Sequence, residues 1–468
     1  MATNLCPQCG FDMVHIPTQG DRARLRARLS VLDSVIAALT AERDTLRAQS
    51  DGMVYPVLSL PHEITSEIFK SCVAVSSASV MTSDPGRMLR PIVLPRASVA
   101  PLLLLRICRQ WREIAASTPR LWTSLSILES VPREVVGAWF ARAGNLPLDY
   151  RLYHNNGSAD SLVTDSLLYA SRWENVGFRI PLTSVPQFNL VHQPFPHLRK
   201  FTFETYHTST NASIPTPSLA IRCAPLLREV HLSNIPRAVQ LDIPWAQLTH
   251  LKFNGMDIAQ SLSIIAGCSQ LQYLDAFTAG ATNSILQYLI LPRLEKLALH
   301  GGRASPGQQP EIIDALVRRS TFPLRVFAVY NGPTTLEHLR LYLHALPPSV
   351  TRLVLMCGNY IDSRAMFALL RSPDLFPNLK QLIVNNGDRI SGEHYQSFVD
   401  VLRGRASVLE LADLSLIGPR PLLPRVAVKP SMAVMDQIRV LAAGGMKIRV
   451  KTAGQQDANM NVVYDSIG

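Results

Sequence analysis

Long apolar runs are missing. No stretch of the 468-residue chain reaches ~18 consecutive apolar residues, the length a membrane-spanning helix needs, so none is expected. The opening MATNLCPQCGFDMVHIP lacks a basic flank followed by an apolar core, and no secretory signal is expected. Cysteine is scarce. The seven residues (Cys6, Cys9, Cys72, Cys108, Cys223, Cys268 and Cys357) are odd in number and scattered, which argues for reduced thiols and an intracellular place, cytoplasmic or nuclear. The sequons at Asn156 and Asn211 then carry no meaning. The spacing of Cys6 and Cys9 is one that can form half of a tetrahedral zinc site, with His15 as a third ligand, but no second pair follows. Residues 1–20 are expected to be a disordered tail without metal.

Signatures of chemistry are missing too. The chain has no G-x-G-x-x-G, no P-loop, no H-E-x-x-H and no G-x-S-x-G. The glycines of GGRASPG (Gly301–Gly307) lack the Lys-Ser/Thr pair that holds phosphate and metal. The 12 histidines are dispersed. No catalytic residue, metal or cofactor is expected, and the chain does not read as an enzyme. Negative charge is in deficit, with 35 Asp and Glu against 46 Lys and Arg, a formal charge of +11. The excess is mostly scattered arginine. Only DRARLRAR (Asp21–Arg28) is dense, and no aromatics interleave with it, so a generally basic surface is favoured over nucleic-acid binding.

What is present is apolar and patterned. At 47% hydrophobic residues the chain can build a large core and more than one folded unit. Leu25, Leu29, Leu32, Ile36, Leu39 and Leu46 fall at alternating steps of four and three within residues 21–50, with Arg43 in the slot before Leu46. This predicts a helix, ended by Asp51-Gly52 and Pro56. It is either a short self-associating coiled coil or an amphipathic helix laid against its own chain. Pro61 suits the first position of a second helix, and Glu63 and Glu67 favour its positive end. Ile64, Ile68, Cys72 and Val75 line one face, with Phe69 beside it. A third helix is predicted over Ala100–Thr118, where Leu104, Cys108, Trp111 and Ala115 share a face that Leu105, Ile107 and Ile114 widen; Pro119 stops it.

LSLPHEITSEIF (Leu58–Phe69) followed by LLRICRQWREIAASTPRLWTSL (Leu104–Leu125) resembles an F-box. Leu60, Pro61, Glu63, Ile64, Ile68 and Phe69 match its Leu-Pro and Ile-Phe part. Cys108, Trp111, Pro119, Leu121 and Trp122 match its Cys-x-x-Trp core and Pro-x-Leu-Trp exit. The heptad helix and the TPRLW ending are similar to the large F-box families of mushroom-forming fungi, and the resemblance covers residues 21–125. Residues 76–99 depart from it as an insertion, which loop entropy tolerates. The resemblance implies an F-box-like module over residues 56–125. It would dock a Skp-type adaptor, and through it a cullin, by Leu60, Pro61, Ile64, Ile68, Phe69, Leu105, Cys108 and Trp111.

Beyond a connector at 126–164, one phrase recurs: FPHLRKFTF, APLLREVHL, WAQLTHLKF, CSQLQYLDA, LPRLEKLAL, TFPLRVFAV, PPSVTRLVL and FPNLKQLIV. Its first apolar residues are Leu198, Leu227, Leu248, Leu271, Leu294, Leu324, Val350 and Leu379, with weaker members at Trp173 and Val408. Steps of roughly 21 to 30 residues match a leucine-rich repeat, although the regular Asn is missing from most units, with Asn234, Asn254 and Asn359 near its place but out of step. The fold class expected is α/β: an N-terminal helical F-box-like module, then an irregular leucine-rich-repeat-like solenoid over 165–452. Residues 435–452 would cap it, and 453–468 would be a disordered tail.

The period of two along a strand aims Tyr273, Phe277, Tyr330, Arg352 and Met356 at the concave side. They form either a patch for a protein substrate or a surface covered by a loop or the C-terminal segment. The whole reads as a substrate-receptor subunit of a Skp–cullin–F-box ubiquitin ligase. The alternatives are an F-box-like scaffold outside any ligase, or a nucleic-acid or zinc-dependent binder.

Overall fold

Each repeated phrase becomes one strand. The computed structural model describes residues 8, 19–52, 56–78, 94–128, 131–155, 159–190, 194–206, 218–277, 289–300, 310–320, 322–330, 335–357, 361–372, 374–386, 392–416, 430–452 and 463–464. The eight phrases give β4 (Lys200–Tyr206), β6 (Glu229–Ser233), β8 (His250–Asn254), β9 (Tyr273–Phe277), β10 (Lys296–His300), β11 (Val326–Tyr330), β12 (Arg352–Cys357) and β13 (Gln381–Asn386). β1 (Ser124–Ile127), β2 (Leu148–Tyr153) and β3 (Trp173–Pro181) precede them, and β14 (Leu411–Leu416), β15 (Lys447–Thr452) and β16 (Val463–Tyr464) follow. These 14 described strands form one sheet in chain order, parallel except for the final antiparallel pair β15–β16, and it does not close into a barrel. Two short strands, β5 (Ser218–Ala220) and β7 (Gln240–Asp242), pair separately.

The first apolar residue of each phrase lies just before its strand and fills the core. Leu198, Leu227, Leu248, Leu294, Leu324, Val350 and Leu379 are wholly buried. At Leu227, Leu248, Leu271 and Leu294 the backbone N–H closes a turn onto the carbonyl three residues earlier. A backbone ladder starts in the next residues: Gln272 N donates to Thr249 O, Glu295 N to Gln272 O, Arg325 N to Glu295 O and Thr351 N to Arg325 O. Stacking thus satisfies polar groups that a single unit would leave unpaired. Alternate strand residues then face inward, as in β4, where Phe201, Phe203 and Thr205 are buried and Lys200, Thr202 and Glu204 are half-exposed.

Helices cover the inward face of the later strands. Ile313 and Leu316 (helix Pro310–Ser320), Tyr342 and Leu343 (Leu336–Ala345), Phe367 and Leu370 (Ser363–Arg371) and Tyr395 and Phe398 (Gly392–Gly404) join one buried cluster with Leu299, Val329, Leu355 and Val384. Several starts are capped as their sequences suggest: Asp257, Thr335, Asp362 and Ser431 accept from backbone N–H groups of the first turn. Between β3 and β4 the 3-10 helix Leu182–Leu190 takes that place, and its Phe188 packs edge-on to Phe178 at 5.0 Å and to Phe203 at 5.3 Å.

Four expectations change. Residues 126–164 are not a mere connector, because β2 and half of β1 lie there and extend the same sheet upstream of 165. The third helix is not continuous over Ala100–Thr118. A turn at Leu104–Arg106 is followed by the helix Arg109–Ala116, because Cys108 adopts extended backbone and caps it. The first helix, Gln19–Gly52, buries none of its residues, which removes the reading in which it lies against its own chain. Among the described residues no helix is long and apolar enough to cross a membrane. Residues 1–7 and 9–18, 453–462 and 465–468, most of the 76–99 insertion (79–93) and the GGRASPG loop lie outside the described residues, Cys6 and Cys9 among them. Within the tail expected at 453–468, Val463–Tyr464 forms β16 against β15, so that stretch is not wholly without structure.

Candidate protein-binding site

Two surfaces collect the residues singled out in the sequence. The first is the small helical module. In the helix His62–Ala78, Thr65, Ser66 and Phe69 face inward. Ser66 Oγ lies 3.1 Å from Thr118 Oγ1, His62 Nε2 lies 3.2 Å from Ser117 Oγ, and Gln110 Nε2 donates to Leu58 O at 2.9 Å. Phe69 is 1% exposed and meets the Trp111 ring edge-on at 5.0 Å. It therefore belongs to the module's own core and is not free to touch an adaptor. Trp111 and Leu105 are half-buried against the same core, and Cys108 Sγ accepts from Trp111 N at 3.5 Å, a capping role. Leu60 is half-buried and Pro61 exposed.

Ile64 and Ile68 remain available. They stand one turn apart, 49% and 41% exposed. Val57, Leu103 and Ile107 are also exposed apolar residues of this module and were not among the adaptor residues expected. For Leu103 and Ile107 the broken third helix explains the omission, since a continuous helix would have placed them differently.

The second surface is the open face of the sheet. Register aligns Lys200, Glu229, His250, Tyr273, Lys296, Val326 and Arg352 in one row. A second row carries Thr202, His231, Lys252, Asp275, Ala298, Ala328 and Val354, and a third includes His300, Tyr330 and Met356. A trough of about 410 Å³ runs along this face.

Its early part is a web of ion pairs. Glu229 accepts from Lys200 Nζ at 2.6 Å and His231 Nε2 at 2.9 Å. Burial pushes the Glu229 carboxyl up, but the bonds from His231 and Lys200 outweigh it and hold the pKa at about 2. Burial lowers the pKa of His231, partly offset by Glu229. Asp275, 2% exposed, accepts from His300 Nε2 at 2.8 Å, Lys252 Nζ at 2.9 Å and the Tyr273 hydroxyl at 3.2 Å. Burial raises its pKa and the His300 and Lys252 bonds more than reverse this.

The later part is apolar. Tyr273, Tyr330 and Met356 are half-buried because they lean on the short side chains of Ala298, Ala328 and Val354. His300 stacks on Tyr330, centroids 4.4 Å apart. Arg352 and Lys296 are exposed on the same row, and neither has a carboxylate partner among the described residues. Phe277 holds its register position in β9, but its side chain lies outside the described residues. Lys296, Ala298 and His300 were missed as site residues, although LPRLEKLAL carries the same phrase as its neighbours.

No family model matches the chain, and no curated protein sequence matches it. Among the described residues no group of three or more His, Cys, Asp or Glu side chains is placed to hold a metal ion. The two surfaces share one chemistry: apolar side chains reach solvent beside charged ones.

Proposed function

We propose that the chain is a non-enzymatic substrate receptor of a Skp–cullin–F-box ubiquitin ligase. The module would dock the adaptor through Pro61, Ile64 and Ile68, joined by the exposed Val57, Leu103 and Ile107. We read the sheet as the inner face of an irregular leucine-rich-repeat solenoid that holds a protein substrate. The observation carrying the reading is the pair Ile64 and Ile68, exposed on a helix whose opposite side is committed to Phe69 and its partners. So small a unit cannot cover both sides of such a helix alone, and a partner would complete it. On the open face, an apolar depression beside Lys296 and Arg352 fits a segment with an apolar side chain next to an acidic one. Holding that segment raises the local concentration of substrate lysines at the conjugating enzyme.

The test is co-purification of the full chain with a Skp-type adaptor. Wild type is expected to retain the adaptor, and Ile64→Glu with Ile68→Glu to lose it while melting normally. Failure of the wild-type chain to retain the adaptor sinks the ligase reading.

A further inference from the structure

The helix Gln19–Gly52 is 34 residues long and buries none of them. Leu25, Leu29, Leu32, Ile36, Leu39 and Leu46 are each between 48% and 60% exposed. A helix with an apolar seam interrupted only at Arg43, and with none of its residues buried by the described chain, is half of an interface. We infer that this helix forms a parallel, in-register, two-stranded coiled coil with a second copy of the same chain.

The heptad register follows from the spacing. Leu25, Leu32, Leu39 and Leu46 take the d positions, and Leu29, Ile36 and Arg43 take the a positions. Leu at d with a β-branched residue at a, as at Ile36, favours two strands in parallel, and one charged a position fixes register at a cost in stability. The Arg43 stem can lie along the seam while its head reaches solvent, beside Glu42 of the second copy.

Charge at the flanking positions decides orientation. In a parallel pair each g residue faces the e residue five positions on in the other copy. Arg28 then faces Asp33, and Glu42 faces Arg47; the relation of Asp21 to Arg26 is the same. All three pairs attract. Antiparallel, two alignments keep most of the seam together. One sets Arg28 against Glu42 but Asp33 against its own copy, and the other sets Arg26 against Arg47. The parallel arrangement has no such clash. It also brings both Gly52 ends together, so the two copies would present their modules and sheet faces on one side, a bivalent display.

The experiment is light-scattering mass measurement of the full-length chain across a concentration series. Wild type is expected to approach the mass of two chains. Leu32→Glu with Leu39→Glu is expected to give one chain with an unchanged melting temperature, since the helix buries nothing against the folded body. Arg28→Asp alone should weaken association about tenfold, because each dimer carries the pair twice. Arg28→Asp combined with Asp33→Arg should restore it. In the first antiparallel alignment the same double reversal would instead set an acidic side chain against Glu42 and bring two basic ones at position 33 together. In the second, neither position faces a charge, and neither reversal would matter. Single-chain mass at every concentration overturns the inference, as does association insensitive to the single reversal or not restored by the double one. Adaptor binding plays no part in this test, so its outcome is independent of the ligase reading.

Discussion

Glu229 shows how single residues on the open face carry the fold's response to acid. Its carboxyl is half-buried, yet its pKa falls from 4.5 to about 2 because His231 and Lys200 both donate to it. A carboxyl held below its unfolded value stabilises the fold above that value, and the contribution is lost as pH falls from 4.5 toward 2. Glu229→Gln is therefore expected to melt lower than wild type at neutral pH, with the two curves converging as pH drops through that window. Parallel wild-type and mutant melts at several pH values check this; a constant gap down to pH 2 would show that the charge is not what matters. Arg405 is the second case. It is 4% exposed, and its guanidinium donates to the carbonyls of Leu370, Ser372, Leu375 and Phe376. Those carbonyls line a bend in which Phe376 has a φ of 61°, strained for a residue with a side chain. Arg405→Met should cost about 3 kcal/mol, because it strands buried carbonyls that a charged donor had satisfied. Lysine should not rescue it, lacking the planar fork that reaches four oxygens. Urea unfolding of the three proteins measures both effects.

Elements were legible where one pattern did all the work. The L-x-x-L-x-L phrase names its strand, because the leading leucine fills the core and the next two apolar positions face it. β1 and β2 lack the phrase. LDYRLY does bury Leu148, Tyr150 and Leu152 in strict alternation, but alternation without the leading leucine did not mark residues 126–164 as sheet. The break at Cys108 was hidden for the opposite reason. Leu104, Cys108, Trp111 and Ala115 keep helical spacing across a point where the backbone is not helical, and only the thiol accepting from Trp111 N betrays it. Phe69 was misassigned by the same logic: spacing says which residues share a face, not which face the module keeps for itself. Ile64 and Ile68 are outside it because Ser66 and Phe69 turn toward Thr118 and Trp111, with Thr65 buried on the same side.

At the scale of the whole molecule the sheet is a one-dimensional stack. From β1 to β16 every strand in it pairs only with neighbours in the stack, and the strands follow chain order. Stability in such a stack is the sum of units and their interfaces, and the last unit matters because it covers the one before. Here the last cover is the helix Met432–Ala443 with β15, which bury Val434, Ile438, Ile448 and Val450; Gln396 and Gln437 bond at 3.1 Å between that helix and Gly392–Gly404. Truncation after residue 430 removes this cover and leaves β14 as an open edge, with apolar groups of the preceding unit exposed. The expected result is local. Amide hydrogen exchange should accelerate in β14 and in Gly392–Gly404, while β3 to β10 keep the protection of the full chain. Loss of protection along the entire sheet would mean that the stack folds as one indivisible unit, and the additive picture would fail. If protection survives upstream, the open face from Lys200 to Tyr330 should keep its geometry without the C-terminal cover, so the same truncated chain tests whether the trough proposed to hold a substrate is autonomous.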